Sequence, residues 1–418
     1  MFNYLIALIL IFVPLYPKFP LLGVSGTFVA VRLEDFVLAG VLIVWGISNL
    51  RRKFIDLSLP VHRSILLYLS IGFVSVFAAV FVTKTAALNL GVLHALRRVE
   101  YMTLFFVAFQ ALKTHTQLTF LIRTFLVVSL LVAIFGLGQQ FLGWPIISTT
   151  NSEFSKGLAL TLGAEARINS TFAGHYDLAA FSLFPLLLVI ALLALPQVRS
   201  KWALLATGSL VYWAMLLSAS RVTFASFFVS ATVLLLVIRK LSWIAPLIML
   251  AIISIIVTPQ LLGRYKALFI NHVRAAPAAD EVIPDTLKPP AVPEDRSFNI
   301  RLKAEWPKAM RAFYQNPILG TGFSSVGLAV DNDYLRLLAE TGALGLLAFG
   351  LVLIRIFKSS RPFLHAPKSV AEAFVVVTTL GLLGLLFNAM FIDVFEASKI
   401  AVITWVLLGT SEKAKKLA

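Results

Sequence analysis

The sequence predicts an all-α, polytopic integral membrane protein with about twelve transmembrane helices and a long outer-face loop containing an amphipathic helix. Three observations lead there. Hydrophobic residues make up 59% of the 418 and charged residues only 13%, with a mean hydropathy of +0.90. A globular domain carries about a quarter charged residues, so water is not the main solvent. In hydrocarbon the backbone must satisfy its own hydrogen bonds, which leaves helices or a closed barrel. The apolar runs are continuous over about twenty residues, whereas barrel strands alternate over about ten, so the runs are helices.

In chain order, spans are predicted at residues 4–16, 35–50, 64–83, 100–112, 117–141, 176–195, 202–217, 222–238, 243–257, 343–357, 371–391 and 400–408. The first lacks a basic leading region and a small-residue cleavage site, so it reads as a retained span rather than a signal peptide. Basic residues recur after the even-numbered spans. They are Arg51, Arg52, Lys53 and Arg63, then Lys113, then Arg199 with Lys201, then Arg239 with Lys240. Arg355, Lys358, Arg361 and Lys368 follow the tenth, and Lys413, Lys415 and Lys416 close the chain. Short basic connections stay cytoplasmic, which places both termini inside. The net charge of +16 thus has a topological reading, and no nucleic-acid partner is expected. The absence of cysteine excludes disulfides, thiolate metal sites and cysteine nucleophiles.

The organisation follows. Residues 1–257 hold spans one to nine, with an outer-face loop at 142–175; residues 258–342 form a large outer loop; residues 343–418 hold the last three spans and a basic cytoplasmic tail. Within the large loop, 275–295 is rich in proline, alanine and acid and reads as a flexible linker. Residues 297–314 interleave Ile300, Ala304, Pro307 and Met310 with Arg301, Lys303, Lys308 and Arg311, the pattern of an interfacial helix. Non-membrane mass concentrated on the outer face points to work done there.

No Walker phosphate loop, HExxH or GxSxG is present. The chemistry-bearing residues are ionisable groups at the outer ends of apolar helices. Arg221 opens the eighth span, where free amides and the helix dipole already favour an anion and a guanidinium fork suits phosphate oxygens. Arg296 and Arg301 flank the start of the amphipathic helix, and Arg167 precedes the sixth span. Arginines at such depths also snorkel to lipid headgroups. His175 and Asp177 could act as acid or base, or cap the sixth span. Gly320 and Gly322 permit positive φ or close approach of a ligand. Asp331 and Asp333 stand near a helix start, as caps or as a general base for a hydroxyl nucleophile.

The order of these features resembles the O-antigen ligase and O-antigen polymerase superfamily. The family's pattern is an Arg, a Trp-containing helix, a Pro-to-Gly-x-Gly turn, and a His-Asn-x-aromatic-Leu run leading through Glu-x-Gly into a span. This chain has Arg301, Trp306, Pro317 to Gly322, and Asn332 to Gly345. Ser220-Arg221 and the run from Arg167 to Phe172 resemble further family motifs, as does the opening that ends Arg32-Leu-Glu-Asp35. The resemblance implies a GT-C-like membrane glycosyltransferase in the bacterial inner membrane. It would move a glycan from undecaprenyl pyrophosphate to an acceptor hydroxyl on the outer face, by one inverting displacement and with no metal or other cofactor. Arg221 and Arg301 would hold the pyrophosphate, with Arg167, Arg296, Asn332, Tyr334, Gly320 and Gly322 as substrate contacts.

One position departs from the pattern: the histidine that ligases place before the Asn is Asp331 here. A carboxylate can take the same proton, so Asp331 is the expected base. The change favours a polymerase, whose acceptor is another lipid-linked repeat unit, over a ligase to lipid A–core or a protein O-oligosaccharyltransferase. A flippase or secondary transporter is the rival from another class. Such folds show repeated halves and midplane ionisable groups, and neither stands out here.

Overall fold

The computed structural model describes residues 2–17, 20–23, 30–50, 55–146, 167–258, 300–327 and 330–418. The basic residues at 51–53, the core of the 142–175 loop, the linker at 275–295 and Arg296 lie outside these.

Each predicted run winds into a helix, because only the internal helical ladder satisfies the backbone of a continuous apolar segment. In order these are α1 (Phe2–Leu15), α2 (Leu33–Asn49), α3 (Pro60–Phe81), α4 (Leu88–Ala111), α5 (His115–Phe141), α6 (His175–Ala194) and α7 (Lys201–Leu217). There follow α8 (Arg221–Val237), α9 (Ile244–Val257), α10 (Trp306–Gln315), α11 (Asp333–Ser360), α12 (Val370–Asn388) and α13 (Ser398–Ala414). A small antiparallel ribbon, β1 (Pro20–Gly23) with β2 (Ala30–Arg32), joins α1 to α2. Among the described residues five helices, Pro60–Phe81, His115–Phe141, His175–Ala194, Asp333–Phe363 and Val370–Asn388, are long and apolar enough to cross a membrane. Phe2–Leu15, Lys201–Leu217, Arg221–Val237 and Leu241–Val257 are shorter apolar helices. Apart from that ribbon, the regular structure of the described residues is helical, with several helices suited to a membrane span.

Three helices differ from expectation, each for a physical reason. α4 starts at Leu88 rather than near residue 100, because its charges have partners. Arg97 Nη2 reaches Asp35 Oδ2 at 3.1 Å, and Arg98 lies between Glu340 and Glu396. α11 starts ten residues before the predicted span, at Asp333, and is broken at Gly342, whose φ of 66° leaves the helical region. α10 was expected at the lipid interface; instead its apolar side, Trp306, Ala309 and Ala312, packs on Val326, Val330, Leu335 and Ala339. Lys303, Lys308 and Arg311 are left exposed.

The main core is a continuous cluster that includes Phe105, Phe125, Phe181 and Trp405. α13 lies along α4 so closely that the Phe105 carbonyl occupies the place of a Cβ on Gly409. α11 runs along α3, while α6 packs against α7, α8 and α12. Polar contacts gather alternate helix ends. The buried Lys399, at the start of α13, donates to the carbonyls of Tyr16 (2.6 Å) after α1 and Thr171 (2.8 Å) ahead of α6. Beside it, Ser398 Oγ donates to Glu34 Oε1 at the start of α2 (3.0 Å). At the other end Lys415 Nζ donates to Ser359 Oγ (2.7 Å), tying α13 to α11.

Candidate active site

The turn before α10, Arg301–Glu305, is π-helical, closed by the Trp306 amide donating to the Arg301 carbonyl. Such widened turns re-aim a side chain and frequently mark functional sites. Here the turn carries Arg301, which is 6% exposed. Its Nε and Nη2 both donate to Asp331 Oδ2, at 2.9 and 2.7 Å. The Tyr176 hydroxyl, on the first turn of α6, is its other partner. Burial works against the Arg301 charge, but Asp331 and Tyr176 outweigh it and hold its pKa above the ordinary arginine value. Burial pushes the Asp331 carboxyl above its usual range; Arg301 pulls it down and the nearby Asp393 pushes it up.

Arg167 stands one link away. Its Nη1 lies 2.7 Å from His175 Nε2. A guanidinium can only donate, so that ring nitrogen accepts and His175 is oriented by Arg167. The His175 ring packs tilted against Tyr176, with centroids 4.0 Å and planes 42° apart. Arg167, His175, Tyr176, Arg301 and Asp331 thus form one run of contacts, with a ring contact between His175 and Tyr176 as its middle link. The amide of Ile168 donates to the Leu217 carbonyl (3.4 Å) at the end of α7, just before Arg221.

Arg221 is half-buried at the first position of α8, capped by Ser220, whose side chain accepts from the Thr223 amide. That first turn is tied to the end of α12: Thr223 Oγ1 donates to Asn388 Oδ1 (2.6 Å), and Asn388 Nδ2 donates to Ser226 Oγ (2.9 Å). The next two carbonyls of the same chain accept from the base loop, Ala389 from the Asp333 amide (2.9 Å) and Met390 from Asn332 Nδ2 (3.0 Å). Residues 388–390 thus contact both the first turn of α8, which Arg221 opens, and the segment that follows Asp331.

Other expected contacts have structural work. Asn332 caps α11 by accepting from the Leu335 amide (2.9 Å), and Tyr334 donates its hydroxyl to the Leu386 carbonyl (2.8 Å). Gly320 and Gly322, with φ of 73° and 88°, belong to a turn inserted into the break in α11. The amides of Thr321 and Gly322 donate to the carbonyls of Ala339 and Glu340, both at 2.9 Å, and Ala343 donates to Pro317 (2.8 Å). A Cβ on Gly320 would collide with the Glu340 backbone, and one on Gly322 with Ala79. Their freedom serves close packing of backbone on backbone. Asp177 lies in the first turn of α6, and Asp333 accepts from the Phe395 amide (3.1 Å).

Sequence reasoning missed the ionisable groups Arg98, Arg336, Glu396 and Asp393. A water-sized cavity of about 40 Å³ is lined by Arg98, Asp333, Arg336, Glu340 and Glu396, with Tyr68, Tyr101, Phe349, Phe395 and Trp405. Arg336 Nη2 donates to Asp393 Oδ2 (2.8 Å), and its Nη1 to Glu340 Oε1 (3.3 Å). The signal was available in the pair Arg97-Arg98 followed by Glu100 and in Arg336 four residues before Glu340, because ionisable groups within apolar helices are functional candidates by default.

Residues 206–350 match the family model described as O-antigen ligase. Over that stretch, about a third of the chain, it is similar to that family. Within it lie Arg221, Arg301, the turn at 317–322 and Asp331 to Tyr334; Arg167, His175 and Asp393 lie outside. Members of the O-antigen ligase family are glycosyltransferase-like enzymes, and the family implies glycan and lipid-linked substrates in the membrane. No curated protein matches the chain.

Proposed function

We propose that this O-antigen ligase-type protein transfers a glycan from undecaprenyl pyrophosphate to an acceptor hydroxyl at the outer membrane face, as a polymerase of lipid-linked repeat units. The observation that carries the reading is the Arg301–Asp331 pair, with Arg167 reached through His175 and Tyr176 and Arg221 through residues 388–390. Guanidinium groups drawn from three chain segments suit a diphosphate, and a carboxylate beside them suits proton acceptance.

In the reaction, the acceptor oxygen attacks the anomeric carbon from the face opposite the pyrophosphate. The carbon–oxygen bond to the pyrophosphate breaks, and undecaprenyl pyrophosphate leaves with both electrons. The hydroxyl proton passes to the Asp331 carboxylate, and the anomeric configuration inverts. Arg221 and Arg301 stabilise the charge gathering on the leaving group, so the step needs no metal. Asp331 occupies the edge of Arg301 that suits a phosphate oxygen. Donor arrival displaces the carboxylate and frees it for the acceptor. This reading includes the GT-C-like twelve-span topology, cytoplasmic termini, and the division at 257 and 342 with the catalytic loop outside.

A ligase is the second reading, favoured by the description of the matching family; Asp331 in place of the ligase histidine is what ranks it second. Purified protein is incubated with undecaprenyl-pyrophosphate-linked repeat units. Chains that lengthen without another acceptor support polymerisation, while product only on addition of lipid A–core supports ligation. Arg221→Ala and Arg301→Ala should abolish transfer in protein that still folds and inserts. Wild-type turnover in both would remove the pyrophosphate assignment.

A further inference from the structure

We infer that Asp393, in the connection between α12 and α13, is the positioning residue for Asp331, holding residues 330–332 in the backbone path that turns the Asp331 side chain onto Arg301. The inference rests on the reading of Asp331 as the base. Asp393 lies beyond the matched stretch and belongs to no motif noted above.

Its carboxylate collects three consecutive amides. Oδ2 accepts from Val330 and Asp331, and Oδ1 from Asn332, each at 3.1 Å. Three successive N–H groups converge on one anion only if the chain turns sharply between them. The turn is supplied by Asp331, whose φ of 52° is in the left-handed region. That conformation is disfavoured for a residue with a Cβ and persists only where the surroundings impose it. Arg336 secures Asp393 from the other side, with Nη2 at 2.8 Å, while its Nη1 is fixed on the Gly327 carbonyl (3.0 Å). Burial opposes ionisation of Asp393, but Arg336 and the converging amides prevail and hold its carboxyl below the usual range. The fixed negative charge has a second effect: it raises the proton affinity of Asp331. The charged and titratable groups around the pair include Arg301 from the turn before α10, Tyr176 from α6, and Asp333, Arg336 and Glu340 from α11.

The test compares Asp393→Asn, Asp393→Glu and Asp331→Asn in detergent, following transfer from lipid-linked donor across pH. Asp393→Asn should lower kcat by about tenfold or more, with a donor KM changed by less than about threefold, because the arginines are untouched. Its acid limb should move to lower pH, since a charge that raised the Asp331 proton affinity is gone. Asp393→Glu keeps the charge but displaces the loop, so kcat falls while the acid limb stays. Wild-type kcat in either Asp393 variant overturns the inference, as does a loss accompanied by a rising KM and an unmoved limb in Asp393→Asn. Should Asp393→Asn fail to fold, the glutamate variant decides alone. A fully active Asp331→Asn would sink the base reading itself, whereas an inactive Asp331→Asn beside a normal Asp393→Asn would sink only the positioning role.

Discussion

If the Asp331 carboxylate holds the place of a phosphate oxygen on Arg301, then removing its charge should strengthen donor binding while weakening catalysis. Asp331→Asn makes that change with little alteration in shape. Arg301 Nε and Nη2 both donate to one oxygen, at 2.9 and 2.7 Å. Hydrogen bonds to charged groups contribute about 1.5–3 kcal/mol. The Asp331 side chain is 28% exposed, and solvent screening discounts the charge–charge part. An asparagine oxygen still accepts one donor. The competition removed is then about 1–2 kcal/mol, which tightens the donor dissociation constant about 5–30-fold. Turnover should fall by about 10²–10⁴, the usual contribution of a general base. Equilibrium binding of labelled lipid-linked donor, measured beside single-turnover transfer, separates the two effects. Unchanged or weaker donor binding would refute the competition, and unchanged turnover would refute the base.

The acid limb of kcat/KM for the wild type should lie above the ordinary aspartate range near 3.9, because burial raises the Asp331 pKa and the base is lost as pH falls through that raised value; a pH–rate profile checks it. Gly342→Ala should destabilise the protein by about 2–4 kcal/mol and lower activity. Its φ is 66°, and a Cβ would overlap the Ile318 carbonyl; an unaltered thermal unfolding midpoint in detergent would contradict this. Asn388→Ala should cost about 1–3 kcal/mol by unpairing Thr223 and Ser226. It should also weaken donor binding through displacement of Arg221, as a titration with labelled donor would reveal.

The break in α11 shows why part of the architecture was legible and part was not. Residues 343–357 announce a span by composition alone, and Gly320 and Gly322 announce unusual backbone. Nothing local says that the turn at 317–322 fills the break at 342, because the partners lie some twenty residues apart and meet only through tertiary packing. α4 teaches the converse. Its charges resemble a boundary in one dimension, and only their partners Asp35, Glu340 and Glu396 make a continued helix tolerable. Likewise Asn332 and Tyr334 looked like substrate contacts, yet their side chains bind backbone carbonyls of residues 390 and 386.

The sequence by itself determined the solvent, the helical class, the order of the helices and the residue types able to meet a diphosphate, because each depends on composition or on short periodic patterns. Only the tertiary structure decided that Arg301 takes Asp331, that Arg167 reaches it through His175 and Tyr176, and that Asp393 gathers the base loop. Those pairings join residues far apart along the chain, and their strength depends on distance and burial, which a linear string does not contain.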